Sequence, residues 1–456
     1  MNYLGIEYNF KNRPKLDKDY IPFGVWSEAY LEGATRPVKI GIERNGGYVS
    51  VFETYIRDDE YHEANLRYIE RLVKFLLWSI GGMRIYLCGC DKEAAILQKA
   101  YTPSGDRSFE VDFMNQVFEN GLSVHIVDEE HFPASNEHPI KIGGHLNGCR
   151  IGFDAGGSDR KVSAVIDGTC VYSEEVVWSP KLQDNPEYHY DGIMSAFRTA
   201  ASKMPRVDGI GVSTAGVIVD NQPRVASLFI KVPAERHDEV KNIYLKAAKE
   251  MGDLPIVVVN DGDVTALAGS MSLDDNAVMG IAMGTSEAVG YVDKTGRILG
   301  WFNELAFAPV DLYEKAPADD WSGDIGCGSR YFSQEAVIRL AANAGIEIDQ
   351  MLSRGEQLKV VQKLMNEGNT AAEDIFKSIG VYLAHTIKLY SKFYDIKHLI
   401  ILGRVTSGAG GDTILAECQR VMAEEYPELS SLEVTLPDEK MRRLGQSVAA
   451  ASLVDF

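Results

Sequence analysis

Residues 150–161 carry the pattern that decides the fold: Arg150-Ile-Gly-Phe-Asp154-Ala-Gly156-Gly157-Ser158-Asp-Arg-Lys161. The pattern predicts a buried strand ending at Asp154, a Gly-Gly-Ser turn and a second strand. The two glycines let the backbone approach a ligand, and the turn's N–H groups, with Ser158 and Lys161, suit phosphate oxygens. Asp154 is placed to hold the hydration shell of Mg²⁺. The alternative is a plain β-hairpin with a glycine turn.

A second stretch, Pro255-Ile-Val-Val-Val-Asn260-Asp261-Gly262-Asp263, predicts a buried strand with polar residues at its carboxyl end. Open α/β sheets bind ligands at that end of their strands. A carboxylate there can accept the proton of a substrate hydroxyl that attacks a phosphoryl group, which makes Asp261 the candidate general base. Asn260 is a candidate ligand for neighbouring hydroxyls. For both residues the alternative is to cap the following helix.

The spacing Asp-x-Gly-Gly-Ser-x-x-Lys resembles the first phosphate motif of the actin-like ATPase and sugar-kinase superfamily. Segments 210–216, 279–291 and 398–411 follow in the order of the family's later motifs, although Glu287 and Ala288 replace small residues in the second of these. The resemblance implies that the substrate is contacted by Thr214 and Gly216, the phosphates by Gly156, Gly157, Ser158, Lys161, Gly284 and Thr285, and the adenosine by Gly403, Gly408 and Gly410.

Within this superfamily, residues 149–456 look most like the ROK family of bacterial sugar kinases and repressors. Residues 302–307 lie where that family has Glu-x-x-His, so Glu304 looks like a ligand of a sugar hydroxyl. Phe307 replaces the histidine, and we expect it to stack on an apolar sugar face or to fill space left by a smaller substituent.

Residues 326–331 lie where the ROK family has Gly-Cys-x-Glu-x-Tyr within a zinc-binding cluster. Here Ser329 stands in place of the glutamate, and Cys327 is the one cysteine of the cluster that remains. A lone cysteine without partners is more often a core thiol than a metal ligand. We therefore predict no structural zinc.

The composition excludes several classes of protein. The 46 Lys and Arg residues against 66 Asp and Glu residues give a formal net charge of −20, which argues against nucleic-acid binding. No apolar run approaches the roughly 20 residues of a membrane span. Six cysteines are too few for a disulfide framework, and residues 1–20 lack a signal-like apolar run. We expect a cytoplasmic protein with reduced thiols.

We predict three domains: an accessory α/β domain at 1–148, a first kinase lobe at 149–270, and a second lobe with the adenosine site at 271–456. The polar stretch Pro133–Lys141 is the predicted linker. The order of strands and helices in the first domain is echoed near the C-terminus, so it is either a degenerate half of the same fold or an unrelated accessory domain. It lacks a helix-turn-helix, and we expect it to pack against the kinase module or to mediate homodimer formation.

The sequence thus predicts an α/β protein with two actin-like ATPase (ribonuclease H-like) lobes around a cleft, plus the accessory domain. The resemblance implies an ATP-dependent carbohydrate kinase that uses Mg²⁺ and no zinc. In that reading Asp261 is the general base, Asn260 and Glu304 position the sugar, and Asp154 contacts the metal through water. The alternatives are a non-catalytic sugar- or nucleotide-sensing protein that retains the fold, and an ATPase acting on a protein partner.

Overall fold

The computed structural model describes residues 1–137 and 143–456, so part of the predicted linker Pro133–Lys141 lies outside the described residues. The strands are β1 Asn2–Tyr3, β2 Ile6–Glu7, β3 Arg36–Glu43, β4 Val49–Ile56, β5 Arg84–Cys88, β6 Ser123–Ile126, β7 Cys149–Ala155, β8 Asp159–Ile166, β9 Thr169–Val177, β10 Gly209–Thr214, β11 Val217–Val219, β12 Gln222–Val225, β13 Ile256–Asn260, β14 Val278–Met283, β15 Glu287–Val292, β16 His398–Leu402 and β17 Glu433–Thr435. The α-helices are α1 Phe23–Leu31, α2 His62–Ile80, α3 Asp91–Ala100, α4 Ser108–Phe118, α5 Pro186–Ala201, α6 His237–Lys241, α7 Ile243–Glu250, α8 Asp261–Leu273, α9 Gln334–Asn343, α10 Arg354–Asn366, α11 Thr370–Tyr390, α12 Ala409–Glu425 and α13 Glu439–Ala451. None of the helices in the described ranges combines the length and the apolar character needed to cross a membrane.

The chain folds into two compact units that differ from the predicted domains. Unit 1 consists of residues 1–138, 281–289 and 300–436, and unit 2 consists of residues 139–280, 290–299 and 437–456. The N-terminal segment thus belongs to the same compact unit as residues 300–436. The last 20 residues (437–456) return to unit 2. That the chain divides into domains at residues 148 and 270 remains a proposal.

Unit 2 is built on a five-stranded sheet in the order β13-β10-β7-β8-β9. Strand β10 is parallel to both of its neighbours, β7 and β13, whereas β7, β8 and β9 form an antiparallel meander. Apolar side chains of these strands, such as Phe153 and Val212, are buried in one core with residues of α5 and α7. The parallel arrangement places the carboxyl ends of β7, β10 and β13 at the same edge of the sheet.

Helix α13 lies directly on this sheet because two paired positions carry glycine. Gly152 of β7 is in register with Gly211 of β10. A Cβ at Gly152 would lie 1.7 Å from the carbonyl oxygen of Ser447, and a Cβ at Gly211 would lie 1.7 Å from that of Ala450. The missing side chains thus let the helix backbone touch the strands.

Two further sheets have the strand orders β4-β3-β5-β6 and β15-β14-β16-β17. In both sheets the second strand along the chain lies at the edge, followed by the first, the third and the fourth. The N-terminal segment and the segment near the C-terminus therefore share sheet topology as well as the order of their strands and helices. This shared strand order agrees with the prediction that the N-terminal segment is a degenerate half of the same fold. That origin stays a prediction.

The two segments of unit 1 share an aromatic core. Phe75 of α2 packs 4.6 Å from Phe393, and Tyr20 packs 4.8 Å from Tyr382, measured between ring centroids. Tyr382 also donates its hydroxyl to Asp17 at 2.6 Å. Because the N-terminal residues are buried against residues 300–436, this segment is an integral part of unit 1.

Candidate functional site

The predicted polar residues of unit 2 meet where its parallel strands end. Asp154 of β7 is in register with Ser213 of β10, and the next residue of β10, Thr214, is in register with Asn260 of β13. Asp261 follows as the first residue of α8. Sheet topology therefore brings together residues that lie more than 100 positions apart in the sequence.

Asp154 is a buried carboxyl group, 5% exposed, that accepts a hydrogen bond from Ser213 Oγ to its Oδ1 at 2.8 Å. Burial raises the pKa of Asp154 to about 6, and the nearby carboxyl group of Asp261 raises it further, whereas the Ser213 hydrogen bond opposes the increase. Within the described residues no group of three or more His, Cys, Asp or Glu side chains is arranged to bind a metal ion directly.

Asp261 occupies the N-terminal turn of α8, where the helix dipole favours negative charge. Burial raises the pKa of the Asp261 carboxyl group, and the backbone N–H groups of Gly262 and Asp261, followed by the ammonium group of Lys181, partly offset the increase. The turn is anchored because Gln446 of α13 donates to the Asp261 carbonyl oxygen at 3.2 Å. A half-buried carboxylate with a raised pKa is suited to accept a proton near neutral pH.

Asn260 is the cap of α8, the alternative to a ligand role. Its Oδ1 accepts a hydrogen bond from Gly262 N at 2.7 Å, and its Nδ2 donates to the Gly216 carbonyl oxygen at 2.8 Å. Both polar atoms of the amide are therefore engaged within the protein. Asn260 therefore fixes the start of the helix that carries Asp261.

Thr214 and Gly216, which are predicted to contact the substrate, also contact other residues of the protein. Thr214 is buried, and its hydroxyl accepts a hydrogen bond from the Tyr244 hydroxyl at 3.0 Å. Gly216 has a φ of +107°, and a Cβ there would lie 2.3 Å from the Val225 carbonyl oxygen. The side chain of Thr214 is thus not presented to a ligand, and Gly216 is required by the turn.

Local carboxylates surround the predicted phosphate turn. Lys161 Nζ lies 3.5 Å from Asp159 Oδ1 and 3.8 Å from Glu175 Oε2, and Ser158 Oγ donates to Asp159 at 3.0 Å. At Gly156 a Cβ would lie 2.7 Å from the Asp159 carbonyl oxygen. Ser158 and Lys161 thus contact carboxylates of β8 and β9.

The sequence analysis missed Lys181, which lies over this turn. Its Cε and Nζ atoms are 2.7 and 3.0 Å from the position of a Cβ at Gly157. The available signal was a Ser179-Pro180-Lys181 turn directly after a strand of the same sheet. Such a turn gave no indication of the residue against which the lysine packs.

In unit 1 the turn between β14 and β15 exposes Thr285. Gly284 N donates to the Ser286 carbonyl oxygen at 2.9 Å, and its own carbonyl accepts from Gln334 N at 2.9 Å. The atom nearest to a Cβ at Gly284 would be 3.6 Å away, which leaves room beside this residue. Gly284 and Thr285 therefore present an accessible turn, as a phosphate-binding role requires.

The three glycines of the predicted adenosine turn differ in their surroundings. A Cβ at Gly403 would lie 2.5 Å from the Met283 carbonyl oxygen, and one at Gly410 would lie 2.6 Å from the Phe376 ring. Gly408, with a φ of +68°, precedes α12 and has no atom nearer than 3.9 Å to its Cβ position. Packing explains Gly403 and Gly410, whereas the space beside Gly408 is open to a ligand.

Glu287 forms a buried acid group next to Glu304. It is 4% exposed, and within the described residues neither oxygen forms a hydrogen bond of normal geometry; the same holds for the Tyr390 hydroxyl that faces it. A Cβ at Gly328 would lie 2.2 Å from Glu287 Oε2. Burial raises the pKa of Glu287 to about 8 and Glu304 adds to the increase, whereas Tyr390 opposes it. Burial thus favours the protonated form of Glu287 at neutral pH.

Phe307 is not available to stack on a sugar, so that expectation is wrong. The residue is 5% exposed, and its ring centroid lies 4.4 Å from Trp78, 5.4 Å from Phe109 and 5.5 Å from Trp321. Trp78 and Phe109 belong to the N-terminal segment of unit 1. The aromatic side chain thus fills space between the two segments of that unit.

The ammonium group of Lys74 lies beside Cys327, the one cysteine that remains of the zinc-binding cluster of the ROK family. Lys74 Nζ is 3.7 Å from Cys327 Sγ and 3.2 Å from Glu110 Oε1, and it also pairs with Asp324. Ser329 donates its hydroxyl to Asp319 Oδ1 at 2.8 Å. Burial raises the pKa of the Cys327 thiol to about 11. This region of unit 1 is therefore held by buried ion pairs.

No protein-family model matches the sequence, and no curated protein matches it. Many solved structures are similar in fold, and two of them illustrate the range. A ROK hexokinase from Thermus thermophilus is 18% identical, with a TM-score of 0.50 over 66% of this chain and 96% of that one. A ROK family transcriptional regulator, described as a homolog of the E. coli MLC protein, is 16% identical, with a TM-score of 0.51 over 68% of this chain and 79% of that one.

Proposed function

We propose, on the premise that the chain has the actin-like ATPase fold seen in ROK-family proteins, that it is an ATP-dependent carbohydrate kinase. The reaction would transfer the γ-phosphoryl group of ATP to a sugar hydroxyl. The observation that supports this proposal is the pair of carboxyl groups, Asp154 and Asp261, at the carboxyl ends of parallel strands, both with a raised pKa. Phosphoryl transfer needs a proton acceptor and a group that holds the metal ion, and this pair offers both.

In unit 2, Asp261 would accept the proton of the attacking hydroxyl, and Asn260 would hold Asp261 in place through its cap. Asp154 would hold Mg²⁺ through water molecules, using its Oδ2, to which no described residue donates a hydrogen bond. Bound Mg²⁺ neutralises phosphate charge that builds up during transfer.

In unit 1, the accessible turn at Gly284 and Thr285 and the open position at Gly408 are proposed to contact the nucleotide. Glu304 is proposed to bind a sugar hydroxyl. Glycine at 284 and 408 leaves room for a ligand, which fits a phosphate or nucleoside at these turns.

The experiment is to compare wild type with Asp261→Asn for ADP release in the presence of ATP, Mg²⁺ and a panel of aldoses, N-acetyl sugars and ketoses. The amide keeps the shape of the side chain but accepts no proton, so we expect turnover to fall by about 10²- to 10⁴-fold while ATP binding is retained. Asp238→Asn, at an exposed position of α6, is the matched control and should leave turnover unchanged. Undiminished turnover in Asp261→Asn would exclude Asp261 as the base.

A second candidate function is a non-catalytic sugar- or nucleotide-binding protein that retains the fold. It is favoured by the engagement of Asn260, Ser158 and Lys161 in internal contacts. Here the sugar panel would release no ADP, whereas sugar or ATP would still raise the unfolding temperature of the wild type. Turnover of any sugar above the Asp261→Asn level would exclude this alternative.

A further inference from the structure

The turn Pro180–Leu182 follows β9 and is fixed against the phosphate turn of unit 2. Trp178 Nε1 donates a hydrogen bond to the Gly156 carbonyl oxygen at 2.7 Å, and Ser179 N donates to the Tyr188 hydroxyl at 3.0 Å. The buried ring of His189 lies with Nε2 3.1 Å from the Pro180 carbonyl oxygen. These contacts hold the backbone of the turn in one place relative to Gly156 and Gly157.

From this turn the Lys181 side chain extends across Gly157. Its Nζ lies 3.0 Å and its Cε 2.7 Å from the place of a Cβ at residue 157. Any side chain at that position would displace the lysine. Gly157 therefore makes room for the lysine as well as for a ligand.

The charge of Lys181 lies beside the Gly156-Gly157 turn that follows β7, the strand that carries Asp154. Its ammonium group is the smallest of the influences that lower the pKa of Asp261, after the backbone hydrogen bonds of Gly262 and Asp261, and burial outweighs all of them. Among the described residues no carboxylate lies within 4.0 Å of Lys181 Nζ, and the side chain is exposed. Lys161, by contrast, has Asp159 and Glu175 within 4.0 Å. Of these two lysines, Lys181 is the one whose charge remains uncompensated.

We propose that Lys181 is a catalytic residue that donates hydrogen bonds to oxygens of the transferred phosphoryl group, an inference that rests on the proposed kinase function. In the step, the sugar oxygen forms a bond to the γ-phosphorus, and the bond from that phosphorus to the leaving oxygen of ADP breaks. Asp261 takes the hydroxyl proton, and Lys181 keeps its own protons throughout. Its positive charge offsets negative charge on the phosphoryl oxygens in the transition state.

The test compares Lys181→Met and Lys181→Arg with wild type in two assays. The first measures kcat for ADP release with a sugar that the wild type phosphorylates. Loss of one donor to a developing negative charge lowers kcat by about 10²- to 10³-fold, so we expect that loss in Lys181→Met and partial recovery in Lys181→Arg. Lys249→Met, at an exposed position of α7, is the control for loss of a surface lysine.

The second assay measures dissociation constants for ATP and AMP by calorimetry. We expect Lys181→Met to weaken ATP binding at least several-fold and to leave AMP binding unchanged, because AMP lacks the β- and γ-phosphates. Equal kcat and equal ATP affinity in wild type and Lys181→Met would overturn the inference. Absence of turnover in wild type, together with a selective loss of ATP affinity in Lys181→Met, would refute the kinase function and retain Lys181 as a phosphate ligand.

Discussion

Replacing Glu287 with glutamine should stabilise the protein at neutral pH. Burial raises the pKa of Glu287 from 4.5 to about 8. Between these values the folded protein keeps a proton that the unfolded chain has released. Stability from this group is therefore fully present below pH 4.5 and is lost as the pH rises through about 8.

The size of the stability difference follows from the difference between the pKa of Glu287 in the folded protein and in the unfolded chain. Each pH unit corresponds to about 1.4 kcal/mol, so at pH 7 the retained proton costs about 3 kcal/mol of unfolding free energy. Glutamine has nearly the same shape and carries no charge at any of these pH values. We expect Glu287→Gln to exceed wild type in stability by about 3 kcal/mol at pH 7 and to match it near pH 4.5.

Urea unfolding measured at pH 5, 6, 7 and 8 tests this expectation. The difference between variant and wild type should grow by about 1.4 kcal/mol per pH unit up to pH 8. Glu347→Gln, at an exposed position of unit 1, should show no such growth. A difference between Glu287→Gln and wild type that is constant across the range would refute the reasoning, because it would show that Glu287 does not keep its proton on folding.

Two further substitutions test packing features of the two units. Lys74→Met should lower stability by about 3–5 kcal/mol, because it leaves the carboxylate of Asp324 buried with less compensating charge; an unfolding temperature equal to that of wild type would contradict this. Gly211→Ala should lower stability by at least about 2 kcal/mol, because its Cβ would displace α13, which lies 1.7 Å from that position. In Gly355→Ala, the control, the new Cβ meets no atom within 4 Å and a gain of up to about 1 kcal/mol is expected; similar values for the two alanine variants would show that α13 does not pack as described.

Local sequence patterns were sufficient to predict individual strands and the two carboxyl groups at the carboxyl ends of the parallel strands. The strand predicted to end at Asp154 forms as β7, Cys149–Ala155, and the strand predicted before Asp261 forms as β13, Ile256–Asn260. These features depend on side-chain periodicity within a short window. The meeting of Asp154 and Asp261 could also be anticipated, because carboxyl ends of parallel strands share one edge of a sheet.

The roles of individual side chains could not be anticipated in the same way. The amide of Asn260 caps a helix, and Phe307 fills an aromatic core, although either residue type also suits ligand binding. Lys181 carried no motif, and its place over Gly157 depends on how the turn after β9 folds back. Which of two chemically suitable lysines keeps an uncompensated charge depends on strand pairing, because the register of β8 and β9 places Glu175 opposite Lys161.

The sequence by itself determined the pattern of strands and turns at residues 150–161, since glycine spacing and strand periodicity are local properties. Tertiary structure alone decided that this turn is covered by Lys181 and that the N-terminal segment completes unit 1. The physical reason is that burial, pKa and charge compensation depend on the residues brought into contact by folding. Such contacts join positions hundreds of residues apart, as those between Lys74 and Asp324 do.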